Sequence, residues 1–382
     1  MKKSHKKGIP ILSFYSGGGF LDMGFESAGF EIVWTNEIDD AFSAFHEAGI
    51  TSWRKSRGNG IEAEIFNKNS IAKIEPDDIL QEAFRGSAPR RFGIIGGPPC
   101  QDFSINGSRK GFRGSRGRLT RLFIDKIIDL KPTFFVMENV RGLLKHEKHL
   151  MKLMRRVKTE YDFDYKILNA LDFGVPQFRE RVFFVGIRKD TRPKKGRYRS
   201  RLPKNWFLWP LNKTYNGAFS KFDWPSASKF GNTIKRPEGV PLKLCVKKCL
   251  VPDRQLKSVP NANEFFNLYG KAKRKQIKEG ETNRPSFKRL HRFKYSPTAC
   301  YGNNEVHLHP YKNRRISVRE ALRIQGVSDR YILPSDGELL LSKKFKMIGN
   351  GVPVPLAKAV AVAVNKCLET RERLIKTKKK KA

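Results

Sequence analysis

Residues 9–37 read IPILSFYSGGGFLDMGFESAGFEIVWTNE. An apolar run at 9–15 meets a glycine-rich bend, an amphipathic stretch follows at 21–28, and a second apolar run fills 31–35. A further amphipathic stretch spans 39–48, so the opening reads β-α-β-α, the pattern of an α/β sheet covered on both faces. The rhythm resumes downstream. A strand is expected at 92–95, a helix at 119–130 with Leu119, Leu122, Phe123, Ile127 and Ile128 on one side, and strands at 133–137, 165–169 and 182–185. Later helices are expected at 317–325 and from 355 to about 369.

With 382 residues, 39% apolar content and 28 Phe, the chain can bury a sizeable core and has room for two domains. Lys and Arg number 77 against 37 Asp and Glu, a formal charge of +40 that points to a polyanionic partner, nucleic acid first. The charge is uneven: residues 188–290 hold 27 Lys and Arg against 7 Asp and Glu, half the chain's excess. That block also contains Trp206, Trp209 and Trp224, many Pro and Asn, and no sustained period, so it reads as a small irregular domain of strands and loops facing phosphate. Solubility alone is the plainer explanation of such charge. No stretch approaches 18 consecutive apolar residues and the first seven lack the apolar core of a signal peptide, which predicts a soluble, intracellular protein. Cys100, Cys245, Cys249, Cys300 and Cys367 are too few and too scattered for a disulfide framework. Cys245 and Cys249 lack a second close pair of ligands, so no metal site is expected.

The bend Ser16-Gly-Gly-Gly-Phe20 between strand and helix lets backbone approach a nucleotide-like ligand, and Glu37 lies 20 residues after Gly17, where a carboxylate accepts ribose hydroxyls. A tight turn and a surface Glu explain the same residues. The next candidate loop is Gly96-Gly-Pro-Pro-Cys-Gln-Asp-Phe-Ser104. A lone cysteine is more often a small core residue; here it follows a buried strand and two stiffening prolines, which suits a thiolate aimed from a sheet edge. Met137-Glu-Asn-Val140 brings a carboxylate to the same edge, and alternation puts Gln177, Arg179 and Arg181 on one side of the approach to another strand.

Together, and in this order, these pieces resemble the cytosine-C5 DNA methyltransferases of bacterial modification systems. The first loop with Phe25-Glu-Ser-Ala-Gly29 is similar to that family's cofactor loop, and Pro99-Cys100-Gln101 to its nucleophile loop. Glu138-Asn139-Val140 and Gln177–Arg181 follow, then residues 315–326 and the closing Gly349-Asn-Gly-Val-Pro-Val-Pro-Leu-Ala357. The resemblance covers roughly 9–190 and 291–368. It departs at Phe20, where the family usually has a glycine, and at Asn69, Ser70 and Ile71, where the family commonly has an Asp toward adenine.

The resemblance implies an α/β fold, a Rossmann-like mixed sheet of the S-adenosylmethionine-dependent methyltransferase type with a small, irregular, basic target-recognition domain. The divisions are a basic arm at 1–8, a catalytic and cofactor domain at 9–190, the recognition domain at 191–290, a return to the catalytic domain with a closing helix at 291–370, and a basic tail at 371–382, in which the lysine-rich 376–381 is expected to be disordered. It assigns catalysis to Cys100, Glu138, Arg179 and Arg181. S-adenosylmethionine falls to Tyr15, Gly17, Gly19, Phe20, Leu21, Glu37, Ile38, Ser70, Gly97, Pro99, Leu119, Asn350 and Val352. Duplex DNA falls to Gln101, Ser104, Gln177 and Arg315. Cys100 would add to C6 of a flipped cytosine, Glu138 would hold N3 and the exocyclic amine, and Arg181 would hold O2 with Arg179 in support. A monomer in the bacterial cytoplasm, paired in its system with a restriction endonuclease that it need not touch, completes the expectation. The rivals are a tRNA cytosine methyltransferase, whose usual Cys-Phe-Thr signature is missing here, and a catalytically silent DNA-binding relative.

Overall fold

The computed structural model describes residues 8–58, 64–99, 115–192, 205–301, 306–335 and 338–379, leaving aside the side chains of 115–117, 146, 147, 149, 338, 339 and 377–379. In chain order the first part runs β1 (Pro10–Phe14), α1 (Phe20–Glu26), β2 (Glu31–Asn36), α2 (Asp40–Lys55), β3 (Ile65–Asn67), α3 (Pro76–Phe84), β4 (Gly93–Gly96) and α4 (Ser115–Leu130). Next come β5 (Phe134–Val140), α5 (Glu147–Lys158), β6 (Tyr161–Asn169) and β7 (Glu180–Arg188). These seven strands form one sheet in the order β3-β2-β1-β4-β5-β7-β6. The first five are parallel, and β7 runs antiparallel to both β5 and β6.

Alternation along β5 builds both faces. Phe134 and Val136 join Ile11, Ile95 and Val185 on one side, while Phe135 and Met137 join Leu12, Phe14, Ile94 and Phe184 on the other. The second face is covered by Phe123, Ile124 and Ile127 of α4 and by Leu150, Met154 and Val157 of α5. The first is covered by α1 and by the last helix, α10 (Val354–Lys379), which returns along it. Gly24 makes that return possible, since a Cβ there would collide with Ala357. The helix runs ten residues beyond the expected end near 369 and enters the lysine-rich segment from 376 expected to be disordered. Arg371 pairs with buried Asp162 at 2.7 Å, and Glu372 pairs with Arg91 and Lys376, so the added turns are tied to the body. Among the described residues, no single helix is long and apolar enough to cross a membrane.

Residues 205–287 hold no strand among those described, only loops, 3₁₀ turns and the short helices α6 (Ala218–Lys221) and α7 (Lys271–Lys275). This corrects the expected strands and loops. Left-handed glycines at 217, 231, 239, 270 and 280 and frequent prolines interrupt any extended run. Two-residue strands β8 (Lys288–Arg289) and β9 (His307–Leu308) pair in parallel, followed by α8 (Val318–Ile324) and α9 (Glu338–Asn350). α8 starts on a reciprocal cap between Ser317 and Glu320. Val246, Cys249 and Leu250 pack with α1, α2, α8 and α9 in one core cluster, so the basic block is rooted in the main body.

Candidate active site

Four strand ends converge at the carboxyl edge of the sheet, the place where open α/β sheets bind ligands. β1 leads through Tyr15, at φ 53°, into Gly17 and Gly19, at φ 55° and 73°. The loop is tied down by Ser16 N–H donating to Asn36 O at 3.1 Å and Gly19 N–H to Ser16 O at 2.9 Å. β2 ends beside Glu37, whose carboxylate accepts from Gly17 N–H at 3.0 Å and Asp39 N–H at 2.9 Å. Burial pushes this carboxyl up, and the two backbone donors hold it down in part. Ile38, next to it, is 63% exposed. Tyr15 reaches across to Leu119 O at 3.0 Å, and Asn36 holds the Asn67 and Asn69 carbonyls, which fixes the turn before half-buried Ser70. From the other side come exposed Asn350, at the end of α9, and buried Val352.

The residues gathered here fit S-adenosylmethionine by the chemistry of their donors and by the open space at Gly17. Nothing lies within 4 Å of the position a Gly17 Cβ would take, and Ser16 Oγ is buried without a partner beside it. A carboxylate at the end of β2 completes a set suited to ribose hydroxyls. Phe20 differs from the sequence reading in detail. Its ring is buried in the core, 5.5 Å from Tyr331 and packed on Gly351, so the ring faces away from the cleft. Leu21, also buried, packs on the sheet face.

The second half of the edge is built by β4, β5 and β7. Antiparallel register sets Val140 opposite Arg181 and Glu138 opposite Phe183, so Glu138 and Arg181 lie diagonally on one face. Arg181 Nε meets Glu138 Oε1 at 2.9 Å. Burial pushes the Glu138 carboxyl up, against the pull of Arg181 and Arg179. Gly97 passes so close that a Cβ would fall 3.1 Å from Glu138 Oε2, and Asn139 donates to Pro98 O at 3.1 Å. The loop that continues through exposed Pro99 therefore leaves from directly over the acid. Cys100, Gln101 and Ser104 lie outside the described residues.

Gln177 and Arg179 are placed differently from the sequence reading. Both are fully buried. Gln177 accepts from Ala299 N–H at 3.2 Å and donates to Ile324 O at 3.5 Å, so its amide is engaged inside the protein and not at a DNA surface. Arg179 donates to Ala299 O at 3.1 Å and Gly349 O at 2.7 Å, bolting the return segment to the sheet behind Glu138. Burial and the neighbouring Arg181 bring it down to about 9. Arg315 is half-buried, its guanidinium 4.6 Å from the centre of the Phe266 ring.

Beneath Gly19 lies a group the sequence reading missed: Asp22, His46 and Glu64, all buried, with ligand-type atoms within 4.8 Å of one another. The arrangement is an alternating charge ladder. Arg54 sits between Glu26 and Glu64, at 2.6 Å from the latter, His46 between Glu64 at 3.4 Å and Asp22 at 3.6 Å, and Ser13 donates to Asp22 at 2.6 Å. Burial pushes Asp22 up to about 7. With Arg54 already on Glu64, the ladder ties α1 to α2 as a set of paired charges. Cys245 and Cys249 are buried, and burial pushes each thiol up to about 12; among the described residues they join no cluster of metal-ligand side chains.

Sheet order, a lone antiparallel β7 and a glycine loop after β1 together define the fold of the S-adenosylmethionine-dependent methyltransferases. The model of the C-5 cytosine-specific DNA methylase family matches residues 9–366, and the chain belongs to that family. It is a DNA cytosine-5 methyltransferase. The chain is 37% identical to the type II methyltransferase M.NmeDI of Neisseria meningitidis serogroup C, over 98% of this chain and 88% of that one. It is 31% identical to M.FnuDI of Fusobacterium nucleatum, over 96% and 97%. Among solved structures, an Escherichia coli prophage protein described as a DNA modification methyltransferase aligns with TM-score 0.63 at 23% identity, covering 95% of this chain and all of that one, a likeness of fold.

Proposed function

We propose that the chain methylates C5 of a cytosine flipped out of duplex DNA, with Cys100 as nucleophile and S-adenosylmethionine as donor, as the modification arm of a restriction-modification system. The observation that carries the site assignment is the Glu138–Arg181 pair at 2.9 Å, with the Gly97–Pro98 backbone against it, at the strand edge from which Cys100 follows two residues later. Cytosine C5 is a poor nucleophile. Addition of the Cys100 thiolate to C6 gives an enamine that attacks through C5. The bound donor supplies an electrophilic methyl group. Glu138, whose carboxyl burial raises, would donate to N3 in its protonated form and accept from the exocyclic amine, while Arg181 would hold O2. Loss of the C5 proton and departure of Cys100 restore the ring.

Glu37 would hold the ribose, with Tyr15, Gly17, Gly19, Ile38, Ser70, Gly97, Pro99, Leu119, Asn350 and Val352 lining the rest of the cofactor cleft. Gln101, Ser104 and Arg315 would face DNA. The basic block at 191–290 would act as the recognition domain, offsetting the roughly few kcal/mol of base extrusion through phosphate and base-edge contacts. Exposed Lys271, Lys273, Lys275 and Lys278 on and beside α7 support that role. A monomer in the cytoplasm, with a separate cognate endonuclease, fits this reading.

The test is a duplex carrying 5-fluorocytosine at the target. Fluorine does not leave as a proton does, so wild type should form a denaturation-resistant adduct and Cys100→Ser should not. An active preparation that forms no adduct refutes the thiolate mechanism.

A further inference from the structure

Resting on the cofactor reading above, we propose that Tyr331 is a positioning residue for S-adenosylmethionine: from the return segment after α8, its hydroxyl holds the Gly18 peptide and so preforms the glycine loop. The hydroxyl donates toward Gly18 O at 2.8 Å and Phe45 O at 3.1 Å. Three consecutive glycines, two of them left-handed, give this loop unusual freedom, and ordering them costs conformational entropy. The other hydrogen bonds on residues 16–19 come from Asn36 and Glu37 at the end of β2, from Met23 N–H in α1 to Gly19 O at 2.8 Å, and from the loop itself. Tyr331 ties the loop to a segment 313 residues away in sequence.

The post is itself rigid. Tyr331 is fully buried; Arg319 donates to its carbonyl at 2.8 Å, and its N–H donates to Ser328 O at 3.0 Å. Its ring fills the space beside Gly49, where a Cβ would collide with it. Removing the hydroxyl leaves the Gly18 carbonyl facing a hydrocarbon edge. The peptide then relieves the loss by turning, and the loop must be reordered when the cofactor binds.

A matched control is available at the far side of the sheet. Tyr161, at the start of β6, is equally buried and donates a hydrogen bond of the same kind to Pro132 O at 2.8 Å. Wild type, Tyr331→Phe and Tyr161→Phe would be titrated calorimetrically with S-adenosylmethionine, melted without it, and assayed at saturating cofactor. Tyr331→Phe should bind about five- to twentyfold more weakly, the loss of one buried hydrogen bond, with kcat near wild type. Tyr161→Phe should keep wild-type affinity while losing comparable thermal stability. Amide exchange in residues 16–21 of unliganded Tyr331→Phe should also quicken, a readout that needs no cofactor. Unchanged affinity and exchange in Tyr331→Phe, or an equal affinity loss in Tyr161→Phe, overturns the inference. Wild type that binds no S-adenosylmethionine brings down the cofactor reading, and this inference with it.

Discussion

Between Pro10 and Arg188 the chain is held by strand pairing and by apolar side chains buried on both sheet faces, Phe134 and Phe135 among them. Between residues 205 and 301 much of the order comes from charged groups reaching backbone. Arg289 is fully buried there and donates to the carbonyls of Arg274, Ile277, His309 and Lys312, over the face of Phe230. Glu279, also fully buried, takes Arg292 at 2.6 Å. Burying apolar area is insensitive to direction, so a regular period suffices for it, whereas each guanidinium here needs particular carbonyls at particular places. On the proposed reading the first region would carry the fixed chemistry, and the second should tolerate changes in its exposed cations as long as those few anchors remain.

That contrast makes the expected effects unequal. Cys100→Ser should remove turnover altogether while duplex binding stays close to wild type, because a hydroxyl near neutral pH is far less nucleophilic than a thiolate; filter binding alongside methyl transfer checks both. Glu138→Gln should lower kcat by about 10²–10⁴. Its pH profile is the sharper readout. Burial raises the Glu138 carboxyl and the proposed role needs it protonated, so wild-type activity should fall as pH rises through that raised value. The same limb should vanish in Glu138→Gln. Glu37→Ala should weaken S-adenosylmethionine binding by about 1–3 kcal/mol, read by calorimetry, with the methylated sequence unchanged. The smallest effect belongs to the basic block. Lys273→Gln on α7 should lower the magnitude of the salt-dependence slope of DNA binding by about 1, evenly across sequences.

The opening β-α-β-α was legible because its period is strong, and the motif loops because strand ends at one edge bring them together. α5 was missed although Leu150, Met154 and Val157 recur at helical spacing, since the cations between them mask it. β3 is only three residues long and gave no period to read. Glu37, Glu138 and Arg181 stand where the motifs suggested. Gln177 and Arg179 share their alternation with Arg181, but sequence does not tell which polar residues will meet buried carbonyls from residues 299, 324 and 349. Nor did it separate the tryptophans. Trp209 donates to Asp164 at 2.9 Å and Trp206 lies under Arg371, so both are tied to the sheet edge and α10.

The division of labour itself is tested most directly by exchange. Residues 191–290 of a relative with a different target would be grafted into this chain, keeping Val246, Cys249, Leu250 and Leu290 because they belong to the main core. Bisulfite sequencing of DNA from cells expressing the chimera then reads which cytosines are methylated. The methylation pattern should follow the graft while Cys100, Glu138 and Arg181 stay in place. A folded, active chimera that kept the original pattern would contradict that division and put target choice in the catalytic half.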